Sequence, residues 1–385
     1  MRQQKSLLTA KMGANTMKPA AHPLHFLHQG HRSIWLLWTL TYLIAITSAW
    51  IAELLHTPLP WMLGPLFVLA LLGSLGIPFQ APALGRSAGQ CSLGIAIGLY
   101  FTPVAVANIG HDLPFIAIAC VVSTILLGFG TWMLWRFFHI PLRTAFFASA
   151  LGGASEMTVL AERHEQRADL VAAAHSLRLL LILAIIPGIF QAYGVPGNLD
   201  FQSLHLPISY SGIVLLLLCS SIGIATFYVL KLPNAFLLGP LAVSAILTAL
   251  GVEWTSWPKE LSNAGQLLIG VGLGIRFTRD FVVHAKKLAI GVTIYTLLAC
   301  IISVLFSLAI AKPSGLDIES LILSTVPGGM SEMGITAKNF HLNVPAVAVF
   351  HVLRMAFVIL SAELFFHQVL GRLERKFDLH IDHPR

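Results

Sequence analysis

One short pattern occurs twice and each time places an ionisable residue in apolar surroundings. Gly152-Gly153-x-Ser155-Glu156-Met157 returns as Gly328-Gly329-x-Ser331-Glu332-Met333, the first copy preceded by Leu151 and the second by Pro327. Glycine admits close backbone approach and proline breaks a helix, so Gly152, Gly153, Pro327, Gly328 and Gly329 mark interruptions in apolar helices. A helix restarting there presents free N–H groups and a positive dipole end, which suits a carboxylate or another anion. Glu156 and Glu332 follow the glycine pairs at three residues' distance. Two readings are open for them. With Ser155 and Ser331 they cap the restarted helix, or they face a cavity and bind or couple a solute, because an ionisable group inside a span is costly.

A second duplicated pair lies further along, His175-x-x-Arg178 and His351-x-x-Arg354. Residues three apart share a helix face, and an Arg inside an apolar helix seeks a carboxylate or an anionic ligand. Glu156 and Glu332 are the natural carboxylates, so the alternatives are a structural ion pair and direct contact with substrate. The histidines, supporting polar groups in this reading, lack metal-ligand spacing to another His or carboxylate. Cys91, Cys120, Cys219 and Cys300 are far apart with no C-x-x-C and read as small hydrophobes. No metal or cofactor is expected, and the coupling ion would be H+ or Na+.

The elements that must carry these residues are set by composition. Apolar residues make up 56% of 385 and Asp, Glu, Lys and Arg only 11%, against about 25% charged in an average soluble domain. With mean hydropathy at +0.79, the sequence predicts an all-α polytopic membrane protein. A span needs about 20 apolar residues. Residues 34–55, 113–135, 207–230, 284–310 and 344–370 qualify, while 59–76, 84–107, 141–160, 168–193, 234–250, 261–279 and 318–336 are shorter or glycine-interrupted. Counting the shortest as half-spans gives ten membrane segments; counting every run gives twelve. Trp35, Trp61, Trp132, Trp135 and Trp257 at segment ends read as interface anchors.

The repeat extends well beyond the central motif. LPWMLGPL at 59–66 returns as LPNAFLLGPL at 232–241, an offset of 175 at Gly64-Pro65 and Gly239-Pro240. Ala88-Gly89-Gln90, Gly94 and Gly98 return as Ala264-Gly265-Gln266, Gly270 and Gly274 at 176, the offset shared by the Ser-Glu-Met and His-x-x-Arg pairs. These matches divide the chain into a basic cytoplasmic tail (1–33), a first membrane repeat (34–195), a linker (196–206), a second repeat (207–370) and a cytoplasmic tail (371–385).

Charge gives the orientation. Arg2, Lys5, Lys11, Lys18 and Arg32 crowd the first tail without an acid, and Arg372, Arg375 and Lys376 lie in the last. The loop 99–112 has no Lys or Arg, whereas its counterpart 275–288 has Arg276, Arg279, Lys286 and Lys287. Arg136 and Arg143 face a counterpart holding Lys312 against Asp317 and Glu319. Because basic short loops stay cytoplasmic, equivalent loops are expected on opposite sides, which makes the repeats inverted, with interrupted helices. The remaining basic residues form no continuous face for a phosphate backbone, so direct nucleic-acid binding is excluded.

The duplicated pattern resembles the bacterial inner-membrane AbrB-like family, a duplicated membrane module with PGG-x-SEM followed by a His/Gln-x-x-Arg helix. Pro327 to Met333 fits that motif fully, and Leu151 replaces the proline of the first copy. The resemblance implies a multi-pass protein of the bacterial inner membrane, in a family labelled putative ammonia monooxygenase or AbrB-type regulator. An oxygenase needs a ligand set that this sequence does not offer, so no enzyme is expected. The architecture also resembles exchangers built on inverted repeats. The expected function is a secondary transporter or permease for a small anionic solute, with alternating access at the repeat interface; the alternative is a membrane sensor or regulatory protein acting indirectly on gene expression. Expected partners are the lipid bilayer and the solute, with self-association into a homo-oligomer as an option.

Overall fold

A computed structural model describes residues 32–195, 207–279, 283 and 285–366. Apart from Arg32 and Ser33, the basic tail expected at 1–33, the linker at 196–206 and the tail at 371–385 lie outside the described residues, as does the end of the span expected at 344–370. Among the described residues the chain is all helix. The first repeat forms α1 (Arg32–Leu54), α2 (Pro60–Ser74), α3 (Ala83–Gly98), α4 (Pro103–Phe138), α5 (Leu142–Ser149), α6 (Ala154–Arg163) and α7 (Ala168–Tyr193). The second forms α8 (Tyr210–Val229), α9 (Ala235–Ala249), α10 (Lys259–Gly274), α11 (Lys286–Ser314), α12 (Ile318–Thr325), α13 (Met330–Asn339) and α14 (Val344–Phe365). Six of these, α1, α4, α7, α8, α11 and α14, are long and apolar enough to cross a bilayer, and α2 and α9 are shorter apolar helices. This is a multi-pass inner-membrane protein.

Local chemistry explains where helix boundaries depart from the apolar runs. α4 starts ten residues before the run at 113 because Pro103 occupies its first turn and Thr102 caps it, Oγ1 accepting from Ala105 N at 3.3 Å. The runs 141–160 and 318–336 each split at their glycine pair into two short helices. The interruptions fall where the sequence predicts, but the chain turns back instead of continuing across. The Phe147 and His164 rings stack with centroids 5.8 Å apart, although 17 residues of unbroken helix would separate them by about 25 Å. Likewise Asn343 N donates to Ser320 Oγ at 2.9 Å. Both α5–α6 and α12–α13 are therefore helical hairpins, with glycine pairs at their tips and open ends side by side.

Packing sorts the helices into two groups. α1–α3 pack with α8–α10, and α4–α7 pack with α11–α14, and within each group a contact made by one repeat is answered by its equivalent in the other. Little of α1 is covered (22% of its apolar window is buried) whereas α7 and α14 reach 56%, so lipid faces α1 while the His-x-x-Arg helices run through the centre. The largest core cluster joins Leu179 and Ile182 of α7 to Met333 and Ile335 of α13 and Val347 and Met355 of α14. Without water to drive helix association in lipid, close packing carries the fold. The α3–α10 crossing depends on it: a Cβ on Gly89 would strike Gly265 O at 2.7 Å. Gly89 faces Gly265 to Ile269, while Ser92 donates to Leu261 O. Residue numbers thus rise along one helix as they fall along the other, and these equivalent helices run antiparallel.

Candidate functional site

The site begins at the C-terminal ends of the hairpins' first arms. After Ser149 and Thr325 the backbone turns extended, with Ala150 at φ −58, ψ 135 and Val326 at φ −54, ψ 142, which leaves the last carbonyls without intrahelical donors. Arginines on α7 and α14 supply them. Arg178 Nη1 donates to Ala150 O at 2.8 Å. Arg354 Nη1 donates to Thr325 O at 2.9 Å and Val326 O at 3.0 Å, with longer contacts from Nη1 to Ser324 O at 3.5 Å and from Nη2 to Gly328 O at 3.3 Å. Each guanidinium is steadied by the preceding histidine, Nη2 lying 2.8 Å from Nδ1 of His175 or His351. Since a guanidinium only donates, Nδ1 accepts; the ring proton is then on Nε2, facing Phe147 O at 3.0 Å or Leu323 O at 2.8 Å. Hydrogen bonding thus assigns both imidazoles as neutral, and all four side chains are buried.

This arrangement corrects the expected Arg–Glu ion pairs. Among the described residues no ion pair joins Glu156 or Glu332 to Arg178 or Arg354. The physical reason is that a helix C-terminus, with unpaired carbonyls and a negative dipole end, already offers the guanidinium its partners. The carboxylates turn the other way. Gly153 and Gly329 are the N-caps of α6 and α13, and Glu156 and Glu332 fold back over them so that a Cβ on either glycine would collide with the carboxylate. Each carboxylate thus stands at the third helical position, against the glycine that precedes its helix. Both glycines have negative φ, so space rather than backbone freedom requires them. The copies differ in exposure: Ser155 is exposed and Glu156 half-buried, whereas Ser331 and Glu332 are buried.

The two tips meet around a small cavity of about 60 Å³, lined by residues of both glycine motifs together with His175, Arg178 and Met355. It therefore brings the two Ser-Glu motifs, one Arg and one His of the predicted set together; His351 and Arg354 lie behind it as the clamp on the second hairpin. Arg86, Gln90 and Asn234 supply its other polar lining. Sequence reasoning missed these three, although Gln90 and Asn234 stand inside repeated segments. Hydroxyl pairs brace the hairpins from outside, Thr131 with Ser149 at 2.9 Å and Ser307 with Thr325 at 2.8 Å. Tyr295 Oη adds contacts to Ser149 O at 3.0 Å and Leu126 O at 3.2 Å. Among the described residues no group of three His, Cys, Asp or Glu side chains could hold a metal ion.

A larger cleft of about 760 Å³ opens between the α1–α2 and α9–α10 turns and the end of α13. Trp61 and Trp257, expected as interface anchors, are among its lining residues. Each indole N–H has a protein acceptor, Glu53 Oε2 at 3.1 Å for Trp61 and Ser92 Oγ at 3.2 Å for Trp257.

Comparison with known proteins gives consistent matches over this fold. The family model described as Transition state regulatory protein AbrB matches residues 61–370. The chain is 23% identical over 312 residues to Putative regulator AbrB of Escherichia coli (strain K12), covering 80% of this chain and 88% of that protein. It is 22% identical over 367 residues to Uncharacterized protein YhjN of Bacillus subtilis (strain 168), covering 87% and 95%. No solved structure matches it.

Proposed function

Because the chain belongs to the AbrB family of membrane proteins, we propose that it is a membrane-embedded regulatory protein that responds to a small anionic solute at the paired hairpin tips and acts indirectly on gene expression. The regulatory half of this reading rests on the family description and on the name printed for the Escherichia coli relative, which favour it over transport. The solute half rests on one observation: two hairpin tips, each with helix N-termini and a Ser-Glu motif, converge on one small polar cavity with Arg86 and Arg178 in its wall. Ser155, Ser331, Glu156, Glu332, Arg178 and Arg354 are the residues assigned to binding or coupling, the last through the hairpin that it holds.

Secondary transport by alternating access is the second reading, and the repeat geometry favours it. Antiparallel crossing of the equivalent helices α3 and α10 fits a two-fold axis in the membrane plane, the mark of inverted repeats. If each hairpin enters and leaves on one side, α1–α4 and α7 supply five crossings per repeat and the whole chain ten. Under that topology Arg136, Arg143, Arg163, Arg167, Lys231, Arg276, Arg279, Lys286 and Lys287 share the side of both tails, in keeping with the positive-inside rule. The coupling ion would then be H+ or Na+, and the moving units would be the two packed groups, α1–α3 with α8–α10 against α4–α7 with α11–α14.

Purified protein in liposomes separates the two readings. A screen of small anions would measure binding and uptake, with pH and sodium gradients imposed separately and Glu156→Gln and Glu332→Gln as controls. Saturable binding without translocation is the result expected. Gradient-driven uptake lost in a Glu→Gln variant would replace regulation by transport, and absence of both binding and uptake would refute the solute site.

A further inference from the structure

The large cleft carries chemistry that the hairpin tips do not use. Lys338 reaches it from the last turn of α13, eight residues beyond Met330 and so about 12 Å along the helix from the tip. Its Nζ lies 3.1 Å from the hydroxyl of Ser262, a neutral partner, and among the described residues no carboxylate lies within ion-pair distance of it. An ammonium has three donors. One turn beyond Ser262 on the same face of α10 stands Gln266, 3% exposed, whose Oε1 has no hydrogen-bond partner among the described residues. Thr248 Oγ1, in a residue 2% exposed, is likewise unpartnered, and both residues line the cleft. Glu53, Glu253 and Lys259 also line it but are exposed, so solvent screens them. The inner end thus combines one cation, one buried amide and one buried hydroxyl. The scaffold itself does not demand the cation, because the repeat places Glu162 at the position equivalent to Lys338.

We infer that this cleft is a second ligand site, distinct from the hairpin-tip cavity, for a small organic monoacid carrying a hydrogen-bond donor beside its carboxylate. Lys338 takes the carboxylate by a charge-assisted bond. The neighbouring donor, the hydroxyl of a hydroxy acid or the ammonium of an amino acid, satisfies Gln266 Oε1, while Thr248 bonds whichever polar group lies nearest. Leu59, Trp61 and Phe340 offer apolar wall to the short carbon body. A dianionic phosphate fits less well, since its second charge would meet no second buried cation.

The test uses the full chain in nanodiscs with Cys91, Cys120, Cys219 and Cys300 replaced by serine and Asn263→Cys added as a reporter in the cleft wall. Labelling by a bulky maleimide is followed with lactate, alanine, acetate or methyl lactate at concentrations of about 10 mM, enough to occupy a millimolar site. Lactate, alanine or both should slow labelling at least severalfold, acetate less, and methyl lactate not at all; the stronger of the first two identifies the donor. Lys338→Gln should abolish protection and Lys338→Arg retain part of it. Should Lys338→Gln fail to fold, lactate against its methyl ester on the protein with Lys338 intact decides alone. Equal protection by acid and ester, or none by any acid, overturns the proposal.

Discussion

Replacing Arg354 by glutamine should cost more stability than replacing Arg178, because the two guanidinium groups close different numbers of carbonyls. Arg354 makes two well-formed bonds to carbonyl oxygen, at 2.9 and 3.0 Å, besides two long ones, whereas Arg178 makes one at 2.8 Å. Both lose the same bond to histidine, so that contribution cancels in the comparison. With each hydrogen bond to a charged group worth about 1.5–3 kcal/mol, Arg354→Gln should cost about 1.5–3 kcal/mol more than Arg178→Gln. The sign of that difference is firmer than its size, because couplings measured inside bilayers average only about 0.6 kcal/mol. Reversible unfolding by steric trapping in micelles would measure both variants. A double-mutant cycle then separates a helix clamp from an ion pair. Arg354 and Glu332 should be additive to within about 0.5 kcal/mol, while Arg354 and His351, in direct contact at 2.8 Å, should couple by more than that. Equal costs for the two arginines, or stronger coupling of Arg354 to Glu332 than to His351, would refute the clamp.

Gly329→Ala should destabilise the second hairpin because its Cβ would occupy the place of the Glu332 carboxylate; pairing it with Glu332→Ala should restore part of the loss, as read by thermal unfolding in detergent. Tyr295→Phe removes the hydroxyl that contacts Ser149 O and Leu126 O and should cost about 1 kcal/mol without altering solute binding; a change in binding with unchanged stability would show that the hydroxyl acts at the site instead.

Much of this architecture was legible because duplication writes it twice. The offset of 176 that pairs Ser155-Glu156 with Ser331-Glu332 also pairs Phe147 O with Leu323 O as acceptors for the two histidines, and Ala150 O with Val326 O for the two arginines. Glycine pairs flagged the breaks correctly, since a helix interrupted in apolar surroundings leaves a local mark. Reversal at those breaks left no such mark: a hairpin of two short helices and one broken span have the same apolar length, and only contacts such as Phe147 with His164 distinguish them. The arginine partners were missed for a related reason. Sequence lists side-chain carboxylates but not the orphan carbonyls that a break creates, so Glu156 and Glu332 seemed the available anions. Arg86 escaped notice because its counterpart is Ser262, and the duplicated signal that drew attention to other residues is absent there.

That last mismatch locates where the two halves diverge in chemistry. Each clamp repeats the His bond to the first arm, the His–Arg contact and one Arg bond to the carbonyl at the break, with Arg354 adding further carbonyls, as expected of groups that hold the hairpins in shape. The residues around the ligand spaces are not. Arg86 lines the tip cavity in the first repeat where the second has Ser262, and Lys338 lines the outer cleft in the second where the first has Glu162. Glu332 is buried while Glu156 is half-buried. A purely structural duplication would gain nothing from moving one cation from α3 to the end of α13, since lipid-facing and core positions penalise unpaired charge equally in both copies. Asymmetric charge on a repeated frame gives the two ligand spaces different electrostatics, which is what the proposed solute response would use. A solute-responsive protein needs that difference if it is to distinguish a ligand in one space from the same ligand in the other.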